Sequence, residues 1–373
     1  MDIFVYGTLM SAALRQAVAG GDALRVQAAT LDGYEVLPVA GNVVPLIRAS
    51  QGKQTTGMIL MDVQGEQLAR LDAYEGAFDY ALIRVTVQTE DGPHDVSMYL
   101  PPDDIAVGQG AWSLAVWTQT HEAPAVLAAT ELFGYTPALT PLQIRTMWRM
   151  IEKRAWAKTR ALAQSDATSL RHDACAGDVT VISQAPPVGT FFGLQSIQVR
   201  HKQCDGTQSA VLPREVFVGI DAVLVLPYDA KRDRVLLVEQ IRMGPVVRHD
   251  PQPWVLEPIA GMVDARETPR EAAMRESLEE AGLASLDLQE IAAFYPSPGS
   301  STDYFHSYLG LCDLSDDHAG FGGLDEEVED LRLHVLSFDK TMALVQSGEI
   351  NAGPLIMMLF YLAAQRSTLR AKA

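Results

Sequence analysis

The sequence predicts an α/β (α+β) chain of two separate units with helices between them, and three observations predict it. Short β-branched or alternating runs interleave with helical spacing over the first hundred or so residues. The pattern then turns helical from about residue 108 to 163. A second strand-rich region follows, interrupted after Gly261 by a helix whose two ends are written in the residues. The length of 373 residues agrees with two to three domains, because single cores seldom grow further.

Taken in order, residues 3–6 read as a short apolar strand that breaks at Gly7 and Thr8. Residues 57–63 and 83–88 read as strands, and 96–100 as another after the Asp91, Gly92 turn signal. Residues 66–74 have helical spacing, with Leu68, Leu71 and Ala73 available for a core. Pro101 and Pro102 end this unit, so a first domain is expected over 1–103. A helical connector and linker is expected over 104–177: Leu114, Val116, Val126, Leu127, Leu132 and Phe133 precede a break at Pro137 and Pro141. Residues 142–162 then carry Ile144, Met147, Met150, Ile151 and Trp156 close to one helical stripe, and the polar stretch 164–177 is the linker. The second domain is expected over 178–373. Its strands fall at 192–201, 220–226, 235–241, 254–259, 288–295, 305–312 and 331–338, its helices at 269–281, 340–347 and 354–366. No internal repeat or low-complexity tract occurs.

Composition narrows the function. At 48% hydrophobic and 20% charged the chain is that of a folded protein. A formal charge of −18 repels polyanions, which argues against nucleic acid and anionic membrane surfaces as main partners. A small phosphate-bearing ligand remains compatible where cations gather locally or a metal supplies them. The three cysteines, Cys175, Cys204 and Cys312, are widely spaced, as reduced structural thiols are. The opening residues lack a basic-then-apolar leader pattern, and no apolar run reaches the ~20 residues of a membrane span. A cytoplasmic protein is expected.

The segment after Gly261 is the most informative. Thr268 can cap a helix, Pro269 suits its first position, and Glu271 completes a capping box. Gly282 supplies the left-handed residue that stops it. Glu276 and Glu280 stand four apart and Glu279 three from Glu276, so all three point to one side. Stacked like charges destabilise a bare helix, whereas converging carboxylates make an oxygen site for a hard divalent cation. Such a cation could bridge diphosphate oxygens and activate water. The alternative is a solvated acidic face paired by Arg270 and Arg275.

Gly261, Glu267, Arg275, Glu276, Glu279, Glu280, Gly282 and Leu283 together resemble the Nudix box, with Ser277 where that box has an aliphatic residue. The resemblance implies a mixed sheet sandwiched between helices, and Glu276, Glu279 and Glu280 as ligands to Mg²⁺ or Mn²⁺. At Ser277 it implies weaker packing and no lost ligand. Over residues 178–365 the chain looks closest to the ADP-ribose pyrophosphatase branch. Pro298 lies sixteen residues past Gly282. Glu239, Gln240, Ile241 and Arg242 end a strand, Arg214, Glu215 and Val216 precede the first sheet strand, and Glu257 enters the box ahead of Ala260. The resemblance implies Arg214, Arg242, Glu257 and Pro298 as substrate-binding residues and the Ala260 carbonyl as a further metal ligand. It also implies a catalytic Glu in the acidic run 324–330, Glu327 first and Glu329 second, and a homodimer through strands around 192–201. A solvated acidic loop is the plainer reading of that run.

Tyr6, Gly7, Thr8 and Leu9, the strand at Gly57, and the run Leu71, Asp72, Ala73, Tyr74, Glu75, Gly76 resemble the γ-glutamylcyclotransferase-like family, with Tyr80 and Arg84 in its trailing pattern. This implies Glu75 as general acid/base and the turn at residues 6–9 as a binder of substrate carboxylate or oxyanion. The plainer reading is a Glu at a helix end in a domain that only binds. Fusions of this kind also resemble proteins labelled as tellurite-resistance-associated, a label with little chemical content. The expectation is therefore an ADP-ribose pyrophosphatase fused to a γ-glutamylcyclotransferase-like domain. The rivals are hydrolysis of another nucleoside-diphosphate sugar and a nucleotide sensor without turnover.

Overall fold

The protein is described from a computed structural model covering residues 1–164, 169–323 and 330–373. It divides into two compact units, Met1–Glu215 and Val216–Ala373.

In the first unit, strands β1 (Ile3–Val5), β2 (Val26–Pro38), β3 (Pro45–Leu60), β4 (Ala81–Thr89) and β5 (Gly92–Leu100) close a barrel in the order β1-β3-β2-β4-β5. The parallel pairing of Ile3 with Ser97 and Phe4 with Met98 completes the circle. Alternation along β1 explains the layering. Phe4 joins Ile47, Ile59, Val87, Val96 and Met98 in one core. Ile3 and Val5 point the other way, into a core with Leu14 and Val18 of α1 (Ala12–Ala19) and Leu71 of α2 (Gly65–Gly76).

Sequence patterning missed β2, α1 and the first half of β3. The middle of the β2–β3 ribbon is polar and carries Gly33 and Gly52, both at positive φ, so its alternation is interrupted where it leaves the core. Helices α3 (Leu114–Thr120), α4 (Glu122–Leu132) and α5 (Pro141–Ala163) follow. The region expected as a connector packs within the first unit: Ala128 and Leu132 of α4 meet Ile144, Met147 and Ile151 of α5 and Ala77 just past α2. Of the expected linker, residues 165–168 lie outside the described residues. Strands β6 (Val179–Gln184), β7 (Gly193–His201) and β8 (Leu212–Val218) form a small separate sheet.

The second unit is a sandwich around a mixed sheet. Its strands are β9 (Asp221–Asp229), β10 (Arg234–Ile241), β11 (Trp254–Glu257), β12 (Ile259–Met262), β13 (Asp287–Phe294), β14 (Tyr304–Leu311), β15 (Gly320–Gly322) and β16 (Leu331–Ser337). The main order is β13-β14-β9-β10-β16-β15, with β11 on β10 and β12 on β9. A short helix, α6 (Met243–Arg248), leads from β10 toward β11. On one face Val223, Val225, Val238 and Tyr308 pack under α7 (Pro269–Ala281) through Ala272 and Ala273. On the other, Leu224, Leu226 and Leu237 pack under α8 (Phe338–Ser347) and α9 (Gly353–Lys372) through Phe338, Leu355 and Leu359.

Two expected boundaries move. The single strand at 254–259 is split at Pro258, which has no N–H to donate to a ladder, and the two halves pair with different neighbours. The strand expected to end at residue 226 runs on, because β9 continues through Asp229. Among the described residues, no helix is long and apolar enough to cross a membrane.

Candidate functional sites

The acidic helix α7 has the ends its sequence predicts. The Thr268 hydroxyl accepts the Glu271 N–H at 3.3 Å, and Glu271 accepts the Thr268 N–H at 2.9 Å. Gly282 ends the helix at φ 66° and donates to Leu278 O at 2.9 Å. Ser277 is fully buried, and its hydroxyl donates to Ala273 O at 2.7 Å, one turn back. An aliphatic group there would fill the same space without needing a partner, so the departure is accommodated by one local hydrogen bond.

The carboxylates converge on the β11–β12 segment. A Cβ placed on Gly261 would lie 1.9 Å from the Glu276 carboxyl carbon, so only glycine lets that carboxylate rest on the strand. Glu280, 2% exposed, accepts the Ala260 N–H at 3.4 Å. Arg275 gathers the rest. Its guanidinium donates to Glu267 at 2.9 and 3.0 Å, to Glu276 at 2.6 Å and to Glu279 at 2.9 Å. Hydrogen bonding to Glu267 first, and then the charge of Glu276, raises the Arg275 pKa well above its ordinary value. One cation thus holds three acids together.

These residues fit a hard divalent cation. The donors are carboxylate oxygens from one helix face beside a strand backbone stripped of side chain at Gly261, with the Arg275 guanidinium already shielding their repulsion. Among the described residues no three acidic, imidazole or thiol groups stand as a finished cage; Arg275 is what two of the expected ligands now share.

The expected substrate residues are placed as follows. Glu257 pairs in register with Val238, whose side chain faces α7, and Arg242 reaches Glu257 with Nε to Oε2 at 2.6 Å. Pro298 is exposed in the β13–β14 loop. That loop is stitched to the end of β8: Phe217 N–H donates to Ser300 O at 2.8 Å, and Thr302 N–H donates to Phe217 O at 3.0 Å. Arg214, on β8, is exposed and bonds only locally, to Pro213 O at 2.8 Å. Glu327 and Glu329 lie outside the described residues. Sequence spacing did not announce His306, which faces Asp221 at 3.4 Å on β14. A lone histidine carries no motif; only strand register places it.

In the first unit, Glu75 sits in the last turn of α2, half-buried, and burial pushes its carboxyl up to about 7. Burial first, and then the Glu75 charge, raises the pKa values of Tyr6 and Tyr80, the latter to about 12, while burial and then Asp72 raise that of Tyr99. Tyr6 donates to Tyr99 O at 3.2 Å, and Tyr99 to Asp72 at 2.6 Å. The residues expected to act together, Glu75 and the strand end at Tyr6, are therefore brought together. Gly7 is required there, because a Cβ would meet Pro45 at 2.8 Å. Thr8 and Leu9 begin the short helical turn that follows. Helix α5 secures this corner: Arg145 donates to Ala77 O at 2.9 Å, and the Trp148 ring stands edge-on to Tyr74 and Phe78 at 6.0 and 5.4 Å.

Comparison with known proteins finds one family match in each unit. Residues 3–114 match the family described as gamma-glutamyl cyclotransferase, AIG2-like, and residues 220–356 match the NUDIX domain. The chain is 36% identical over 187 residues to an ADP-ribose pyrophosphatase of Haemophilus influenzae, covering 50% of this chain and 86% of that protein. It is 33% identical over 193 residues to an ADP-ribose pyrophosphatase of Escherichia coli, covering 52% and 91%. A GDP-mannose pyrophosphatase of Shigella flexneri is 27% identical over 184 residues, covering 49% and 94%. With its capped acidic helix resting on Gly261 and relatives matched over most of their length, the chain belongs to the Nudix hydrolase family, and it carries a γ-glutamyl cyclotransferase, AIG2-like domain ahead of its Nudix domain.

Proposed function

We propose that the Nudix unit hydrolyses ADP-ribose, adding water across the diphosphate to release AMP and ribose 5-phosphate. The observation that carries this is the convergence of Glu276 and Glu280 on the Ala260–Gly261 backbone, with Glu279 held beside Glu276 by Arg275. Relatives named for ADP-ribose support the choice of substrate. Glu276, Glu279, Glu280 and the Ala260 carbonyl would hold Mg²⁺, with Mn²⁺ as substitute. When bound, such an ion neutralises diphosphate oxygens and lowers the pKa of a coordinated water. Arg242, oriented by Glu257, offers a guanidinium to phosphate or ribose oxygens, with Arg214 and Pro298 as further substrate contacts. Glu327, with Glu329 second, is the general base in this reading.

The first domain is proposed as a γ-glutamylcyclotransferase-like site. Glu75, titrating near neutrality, takes the proton of an α-amino group attacking a γ-carbonyl and returns it to the leaving group. We place the domains at 1–103 and 178–373, in a cytoplasmic homodimer formed through strands around 192–201. The exposed Phe191, Phe192, Leu194, Val179 and Val181 beside those strands support an interface, which light scattering on the full chain reads directly. Another nucleoside-diphosphate sugar is the second reading, favoured by the GDP-mannose pyrophosphatase relative. A panel of ADP-ribose, GDP-mannose and other nucleotide sugars with Mg²⁺, read by release of the nucleoside monophosphate, decides. Highest kcat/KM on ADP-ribose is expected; preference for another sugar nucleotide overturns the assignment.

A further inference from the structure

The strand register carries one more residue to the Nudix site. Gly261, on which Glu276 rests, pairs with Val223, and Val223 pairs with His306. Paired residues in adjacent strands face the same side, so His306 lies in the row of Gly261 and on the α7 face of the sheet. Tyr308, two residues on, confirms the face by packing in the core under α7, while the intervening alternation sends Phe305 to the opposite core. Two strand spacings separate Gly261 from His306, about 10 Å.

The His306 imidazole is held from below. Its Nε2 faces the carboxylate of buried Asp221 at 3.4 Å. Tyr304 stands edge-to-face against the His306 ring at 5.3 Å, and Tyr295 against Tyr304 at 4.7 Å. The three rings thus form a ledge leading away from the Nudix carboxylates, ending at exposed Tyr295. The loop that begins this ledge is anchored, because Asp303 fills the space a side chain at Gly219 would need and Thr302 bonds Gly219.

We propose that His306, positioned by Asp221 and flanked by Tyr304, is the subsite for the sugar carried on the diphosphate. This rests on the reading of the second unit as a nucleotide-sugar hydrolase. The reach matches: one phosphate and one sugar span the distance from the carboxylate row to His306. The chemistry matches as well. A nitrogen and a carboxylate suit sugar hydroxyls, and ring edges and single faces suit the C–H face of a sugar. A planar base would call for a parallel slot, which edge-to-face rings do not provide. His306 is thus a substrate-positioning residue, and the sugar rather than the nucleoside is what it discriminates.

The test uses the full chain with Mg²⁺. For His306→Ala, KM for ADP-ribose is expected to rise about tenfold with kcat within about threefold, as when a hydrogen bond common to ground and transition states is lost. Product inhibition by ribose 5-phosphate should weaken by a similar factor, while inhibition by ADP, which lacks the terminal ribose on the diphosphate, stays unchanged. His306→Asn, which keeps a donor, should recover most of the loss, and circular dichroism should match wild type for both variants. Equal weakening of ADP inhibition would move the residue to the nucleotide side and overturn the assignment. So would a fall in kcat at constant KM, or no change at all. Calorimetry on the wild type separates this from the broader reading. A protein that cleaves ADP-ribose but binds ribose 5-phosphate independently of His306 breaks only the subsite, whereas one that neither binds nor cleaves any nucleotide sugar breaks both.

Discussion

The two sites of this chain solve the same problem, a carboxylate at the end of a helix beside a strand, in opposite ways. In the Nudix unit Glu276 and Glu279 share the guanidinium of Arg275, and charge is kept by pairing. In the first unit Glu75 is ringed by Tyr6, Tyr80 and Tyr99, and burial holds its proton near neutral pH. Acids that share a guanidinium are arranged to suit a cation, whereas an acid that burial pushes up to about 7 suits acid/base work. The environment, and not the residue type, divides metal binding from proton transfer.

The largest expected effect tests the charged half. Glu280→Gln keeps size and helix propensity while removing one anionic oxygen from a buried position against Ala260 N–H. Turnover of ADP-ribose with Mg²⁺ should fall on the order of a hundredfold, with the melting temperature nearly unchanged. A variant keeping more than about a tenth of wild-type kcat would end the assignment of Glu280 as an essential ligand.

A smaller effect sharpens the same half. Arg275→Met leaves Glu267, Glu276 and Glu279 facing one another without their shared cation. Since these groups are partly exposed, the loss of stability in chelator should be modest, about 2 kcal/mol. Added Mg²⁺ or Ca²⁺ should restore more stability to the variant than to wild type, because the ion replaces the missing positive charge. Denaturant titrations with and without the ion read this directly. Equal gains in both proteins would mean that the carboxylates do not gather around a cation.

How legible each site was follows from how local it is. α7 was readable to the residue, because capping box, N1 proline and terminal glycine are short-range signals. That Glu276, Glu279 and Glu280 point to one side followed from helical spacing, whereas a ligand role came only from the resemblance to the Nudix box. The ledge at His306 was not readable, since it depends on β14 lying parallel to β9, a pairing between strands some eighty residues apart. The barrel was half-readable for a similar reason: β4 alternates along residues 83–88 and β5 follows a turn signal at Asp91 and Gly92, whereas the β2–β3 ribbon is polar over its middle. The helices at 104–163 were seen, but their docking on the end of α2 through Trp148 and Arg145 depends on tertiary contact.

The smallest effects concern Glu75, and they test the neutral half. Its folded pKa of about 7 lies above the ordinary 4.5, so the folded state holds the proton more tightly than the unfolded chain. The stability tied to that proton is fully present below about pH 4.5 and is lost as pH rises through 7. Gln mimics the protonated acid at every pH. Glu75→Gln and wild type should therefore be equally stable at low pH, and the variant should be more stable above pH 7, on the order of 1–2 kcal/mol after discounting for partial exposure. A difference that is the same at both ends of the pH range would mean that Glu75 is already ionised in the folded protein, and the contrast between the two sites would collapse. The same variant bears on whether the sites are independent. Glu75 and the Nudix carboxylates belong to separate compact units. Independent sites behave additively, so if the two units act independently ADP-ribose turnover should stay within about twofold of wild type. Release of 5-oxoproline from γ-glutamyl amines, where wild type shows it, should vanish, because the carboxylate assigned to carry the amine proton is gone. A marked drop in ADP-ribose turnover would instead show that the state of Glu75 reaches the Nudix site, and one chain would then be using its neutral acid to govern its charged one.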